Sequence, residues 1–197
     1  YWNTLKKTKD GNLLACGEMV DTTKKVFVAK FDTTGSILFY ASFMDTSLLT
    51  FQAKNVIELS NGEYIIAINA QYKNYNSVVM FIKLDNLGNI VIKKNFDLNA
   101  TELPWLIRPM LNGNYMIGAV SYKTNNNSPF WCRTWLIEID SMGNYVNQWI
   151  DNDTKNLWPY GMQQTADSGW IIVRQHVAYD VAGLQLYNAS VIKLDKN

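Results

Sequence analysis

The chain has 197 residues, of which 48% are apolar, 13% aromatic and 18% charged, with 18 basic against 17 acidic side chains. That is enough chain for a substantial core, too apolar for a disordered protein, and without the basic stripe that nucleic acid or an anionic membrane would require. One histidine and two cysteines exclude a multi-histidine or thiolate metal site and a disulfide framework, and no apolar run is long enough to span a bilayer as a helix.

Residues 1–8 read as a first strand, closed by the turn pair Asp10-Gly11. Apolar Leu13, Leu14 and Ala15 open a second strand, and a third ends at Ala29-Lys30-Phe31-Asp32. There Asp32 and Gly35 have the spacing of a hairpin turn, the carboxylate capping turn amides and the glycine taking positive φ. Residues 36–40 form a fourth strand. The same order returns with a strand at 53–59, the pair Asn61-Gly62, strands at 64–68 and 78–84, the turn Asp85 to Gly88, and a strand at 89–92. Residues 64–68 are apolar without alternation, which predicts a strand covered on both faces by neighbouring sheets. A third round carries Asn112-Gly113 and Asp140 to Gly143. A fourth carries Asp167-Ser168-Gly169 and Ile192-Lys193-Leu194-Asp195.

Two motifs thus interleave in four copies. The leading Asp10, Asn61, Asn112 and Asp167 are spaced by 51, 51 and 55 residues, and the trailing Asp32, Asp85, Asp140 and Asp195 by 53, 55 and 55. Units of about 50 residues with four short strands each predict an all-β fold, specifically a β-propeller of four-stranded blades. The units run approximately over 1–45, 46–98, 99–152 and 153–197, as one propeller domain or a piece of one. The last lacks its fourth strand, for fifteen strands in all. Residues 189–194 are then expected to form an exposed apolar edge, which a continuing chain or another segment would cover. Cys16, Ala67, Gly118 and Val173 share one place in the repeat, and their small or modest size fits strands crowding towards an axis. Cys16 is accordingly a core residue rather than a nucleophile.

Thr8-Lys9-Asp10-Gly11 and Ile82-Lys83-Leu84-Asp85-Asn86-Leu87-Gly88-Asn89 carry a resemblance that extends over nearly the whole chain. The pattern resembles a loose class of secreted prokaryotic propeller repeats, with Thr-x-Asp-Gly-Gly-aromatic followed by Lys-Leu-Asp-x-x-Gly-Asn. Ser168, where glycine is usual, and Leu111, where threonine is usual, depart from it. The resemblance implies an extracellular or cell-surface propeller, part of a longer chain or assembly. It implies no catalytic residue, because the repeated positions are turn and core positions.

Both turn types fall at one end of each unit. The other end carries loops that lengthen along the chain, the longest at 122–131 and 176–187, and variable loops on a rigid frame are where function concentrates. That end is rich in aromatic and amide side chains. Trp105, Trp131, Trp158, Tyr160, His176 and Tyr179 are the candidate ligand-binding residues, with a glycan or a protein as partner, since flat rings beside amides suit sugars. The competing structural reading has these rings sealing blade junctions.

Acids recur between units at Asp45, Asp97 and Asp151, with Glu102 and Asp153 nearby, and a carbohydrate-active hydrolase or lyase would draw on them. Solvated loop acids account for the same pattern. No Gly-x-Ser-x-Gly elbow accompanies His176. The segment around Asp167 falls short of a sialidase Asp-box, because Trp170 follows Gly169 directly. The sequons at Asn99, Asn126, Asn152 and Asn188 fit a secreted chain. The expectation is a non-enzymatic binding or surface-display module without cofactor or metal, or else a purely structural propeller within a larger assembly.

Overall fold

The computed structural model describes residues 1–20, 24–73, 77–123, 131–152, 157–179 and 185–195. All the helix-or-strand structure within them is β. The first sheet holds β1 (Trp2–Lys7), β2 (Leu13–Val20), β3 (Lys24–Phe31) and β4 (Ile37–Met44). The second holds β5 (Leu48–Glu58), β6 (Tyr64–Tyr72), β7 (Ser77–Leu84) and β8 (Ile90–Phe96). The third holds β9 (Thr101–Pro109), β10 (Tyr115–Lys123), β11 (Trp131–Ile139) and β12 (Tyr145–Ile150). The fourth has β13 (Leu157–Gln164), β14 (Trp170–Tyr179) and β15 (Gln185–Leu194). Every sheet is an antiparallel meander, so each repeat is one sheet and the fourth is a strand short, as its sequence predicts. The chain divides into two compact units, Tyr1–Asp97 and Leu98–Asn197, each containing two sheets.

The two turn families behave as their residues dictate. In the first, Gly11, Gly62 and Gly113 take φ of 87°, 80° and 85°. Their amides donate to Thr8, Leu59 and Met110, closing three-residue hairpin loops. In the second, the Oδ1 atoms of Asp32, Asp85 and Asp140 each accept two turn amides at 2.8–2.9 Å. Gly35, Gly88 and Gly143 sit there at φ of 90°, 90° and 71°.

The fourth copy of the first turn keeps the shape with the wrong residue, because Ser168 occupies the glycine position at φ 67°. A left-handed non-glycine residue costs about 1 kcal/mol, and glycine gives part of that back through the unfolded chain. Ser168→Gly should therefore stabilise the protein by about 0.5 kcal/mol, read as a higher urea midpoint at unchanged slope.

The two motifs recur together because they touch. Lys30, two residues before Asp32, reaches back to Asp10 at 2.6 Å and across to Glu58 of the second sheet at 2.7 Å. Lys83 reaches back to Glu63 at 2.7 Å within its own sheet, and Lys193 pairs with Asp167. In the third copy the charge is inverted. Glu138 Oε1 accepts from the side-chain amides of Asn112 at 3.1 Å and Asn114 at 2.6 Å.

In the first unit, Leu14, Cys16 and Val28 pack against Phe51, Ile66 and Met80 of the second sheet. Both faces of β6 are buried, Ile65 and Ile66 alike at 0% exposure. In the second unit Leu106, Met116 and Leu136 pack against Met162, Trp170 and Ile172. The small-residue position works where sheets pack. Cys16 Sγ donates to the Ala53 carbonyl at 3.8 Å, and a Cβ on Gly118 would stand 3.0 Å from Met162 Sδ. Val173, the largest of the four, is 42% exposed. In the fourth sheet β15 is the outer strand. Its Leu186, Tyr187 and Val191 are exposed, whereas Val79, Met80 and Phe81 of β7, the corresponding third strand, are fully buried.

Candidate functional site

Each first strand bulges at one shared place in the repeat, and β5 bulges a second time, at Leu49. At the shared place Asn3, Lys54, Trp105 and Tyr160 are the extra residues, opposite Cys16/Gly17, Ala67/Ile68, Gly118/Ala119 and Val173/Arg174. A bulged residue drops out of the ladder and its side chain is re-aimed. In the first unit the bulges are tied by polar bonds. Asn3 Nδ2 donates to the Ala53 carbonyl at 2.9 Å and Thr4 Oγ1 to the Lys54 carbonyl at 2.8 Å. Burial pulls the Lys54 ammonium below its ordinary pKa, against the attraction of Glu18.

In the second unit the bulges meet through rings. Trp105 and Tyr160 lie 5.4 Å apart between centroids, inclined at 45°, and Trp158 stands edge-on to Trp105 at 5.7 Å and 82°. The three rings do different work. Trp105 packs on the core of the second unit, and its Nε1 is enclosed without a hydrogen-bond partner. Trp158 is half-buried. Tyr160 is 52% exposed, with its hydroxyl donating to Gln175 Oε1 at 3.1 Å. Trp105 is thus partly buried against the core, and Trp158 and Tyr160 each keep part of the ring surface in solvent.

Of the six candidate residues, these three come together. Trp131 opens β11 opposite Lys123, His176 stands in β14 opposite Leu157, and Tyr179 ends β14 opposite Gln185. The side chains of Trp131, His176 and Tyr179 lie outside the described residues. The loop expected at 176–187 is shorter than its span, because β14 and β15 stay paired from His176–Asn188 to Tyr179–Gln185. Motif spacing counts extra residues but cannot tell a longer loop from a longer hairpin. The loop expected at 122–131 falls mostly on 124–130, and Asp153 is also outside the described residues.

The acids between repeats are engaged. Asp45 accepts from Lys93 at 2.6 Å and from the Ser47 amide at 3.0 Å, and these bonds hold its carboxyl below the usual range. Asp151 pairs with the buried Arg174 guanidinium. Glu102 is fully buried, with Oε1 accepting from the Ala100 amide at 3.2 Å and from Ser121 Oγ at 3.3 Å. Among the described residues no three His, Cys, Asp or Glu side chains group as metal ligands. Cys16 and Cys132 are buried free thiols, both pushed up to about 12 by burial, so neither supplies a thiolate nucleophile.

What sequence reading missed is the bulge, since a ladder irregularity carries no residue signature. The 51-, 51- and 55-residue spacing of Asn3, Lys54, Trp105 and Tyr160 was the available signal.

No protein-family profile matches this sequence, and no curated protein matches it. Among solved structures, a variant of the Synechocystis apocarotenoid oxygenase is similar at 11% identity and a TM-score of 0.49, over 94% of this chain and 48% of that one. The cobalt-substituted form of that enzyme is similar at 11% identity and a TM-score of 0.48, over the same shares of the two chains. The tail fibre of a Staphylococcus aureus phage is similar at 8% identity and a TM-score of 0.33, over 100% of this chain and 50% of that one. The chain spans about half the length of these structures.

Proposed function

We propose that the four sheets are blades of a β-propeller, and that the chain is a non-enzymatic binding module working outside the cytoplasm. Tyr160 and Trp158 form its carbohydrate platform. The observation that carries this reading is the half-exposed Tyr160 ring, set on a bulge, braced by Trp105 and anchored through its hydroxyl to Gln175. A ring fixed at its edge with a face left to solvent loses little entropy when a sugar's C–H face stacks on it, and Gln175 puts an amide beside it. The recurring bulge and the small residues facing the neighbouring sheet support the blade reading. Asp45 and Asp151, two of the acids a hydrolase or lyase would draw on, are held in ion pairs that disfavour a proton-donating role.

Titration with a panel of oligosaccharides should show binding that Tyr160→Ala abolishes while lowering stability by only about 1 kcal/mol, for the ring pair with Trp105. Trp105→Ala should lower the melting temperature through lost packing. A flat titration by the parent protein would sink the carbohydrate platform.

A further inference from the structure

The two units differ at one place where their sheets pack. In the first unit, Leu14, Lys30 and Phe39 form a cross-strand row on the first sheet, and Glu58, Tyr64 and Leu84 form one on the second. The rows are zipped shut. Lys30 bonds Glu58 at 2.7 Å, and Phe39 stacks on Tyr64 at 4.4 Å. The corresponding rows of the second unit are Met116, Glu138 and Asn147 facing Gln164, Trp170 and Leu194.

Three replacements undo the closure. Glu138 stands for Lys30, Gln164 for Glu58 and Asn147 for Phe39, so neither the ion pair nor the ring stack can form. What opens is a pocket of about 390 Å³ lined by all three, with Trp149 and Trp170 as its aromatic walls and Asp195 at its rim.

The chemistry of that pocket is one-sided. It is lined by two carboxylates and no basic side chain, and since Asp195 accepts from Lys193 at 3.2 Å, Glu138 is the one without an ion pair among the described residues. Both amide donors to Glu138 use Oε1, so among the described residues none donates to Oε2. Gln164 is spent on the backbone, its Oε1 taking the Leu111 amide at 2.7 Å and its Nε2 giving to the Ser168 carbonyl at 3.2 Å. At the equivalent place the first unit holds the ammonium of Lys30. We infer that this pocket binds an organic cation, a small alkyl- or trimethylammonium group, paired with Glu138 and laid against Trp149 and Trp170. Tryptophan is the strongest partner for such a group, a half-enclosed carboxylate adds Coulomb attraction that bulk water would screen, and the volume is of ligand-pocket size. The site is independent of the Tyr160 platform and stands or falls without it.

The test uses choline against 3,3-dimethylbutan-1-ol, its uncharged carbon analogue of the same shape, with sodium chloride at matched ionic strength. Tryptophan fluorescence should report saturable binding of choline with Kd on the order of 1 mM, and about tenfold weaker response to the alcohol. Glu138→Gln keeps the oxygen that Asn112 and Asn114 use and removes the charge. It should weaken choline about tenfold without shifting the melting temperature. The triple variant Glu138→Lys, Gln164→Glu, Asn147→Phe should rebuild the first unit's closure and lose binding while remaining folded, which separates loss of the site from loss of the fold. Equal binding of choline and the alcohol would show an apolar cavity only and overturn the proposal, as would binding of neither or choline binding untouched by Glu138→Gln.

Discussion

Lys30→Glu should destabilise the protein by about 3 kcal/mol, the lower end for breaking a buried ionic cluster, because Asp10 is half exposed. The Lys30 side chain is 11% exposed and holds Asp10 and Glu58 together. Burial opposes its charge, yet the bonds to the two carboxylates outweigh that and raise its pKa. Reversing the charge leaves three acids facing one another. The remedy is already present in the second unit, where Glu138 sits among Asn112, Asn114 and Gln164. Adding Asp10→Asn and Glu58→Gln to Lys30→Glu should therefore recover most of the loss. Urea midpoints of the single and triple variants test this. A triple variant no more stable than Lys30→Glu alone would mean that the cluster acts through packing rather than charge.

Gly118→Val should cost about 1–3 kcal/mol by overpacking. The Cβ alone would reach 3.0 Å from Met162 Sδ and 3.6 Å from Leu106 Cβ, and valine adds two further carbons. Gly118→Ala should cost much less, because the methionine sulfur can swing away. Val173→Ala, at the same place in the fourth copy, removes atoms from a side chain that is 42% exposed and should change little. Equal costs for Gly118→Val and Gly118→Ala would show that the position is limited by backbone rather than by the facing sheet.

These two sites mark how far the sequence could be read. Turn positions were legible because Asp, Asn and Gly act locally, and the capping by Asp32, Asp85 and Asp140 follows from four consecutive residues each. Strand number was legible from motif spacing, and the need for a small residue at Gly118 from comparing copies. The pairing of Lys30 with Glu58 was not, since it joins residues on different sheets. The role of Trp105 was not legible either. Aromatic composition placed it with Tyr160 and Trp158, but which ring packs on the core and which keeps most of its surface in solvent depends on the facing sheet. The pocket at Glu138 escaped for the same reason. Its replacements are visible in the sequence, but only packing shows that they fall on facing rows.

The repeated bulge also bears on how such a chain can change. A residue in the ladder is constrained by the residue directly opposite it, whereas the bulged one has no single residue opposite. Asn3, Lys54, Trp105 and Tyr160 show the same slot filled by an amide, an ammonium, an indole and a phenol, with the surrounding meander intact. The frame thus separates inheritance of shape from choice of chemistry. A single codon in each repeat sets the side chain at that slot, at little cost where the ring is half exposed, as at Tyr160, and at a cost in packing where it rests on the core, as at Trp105.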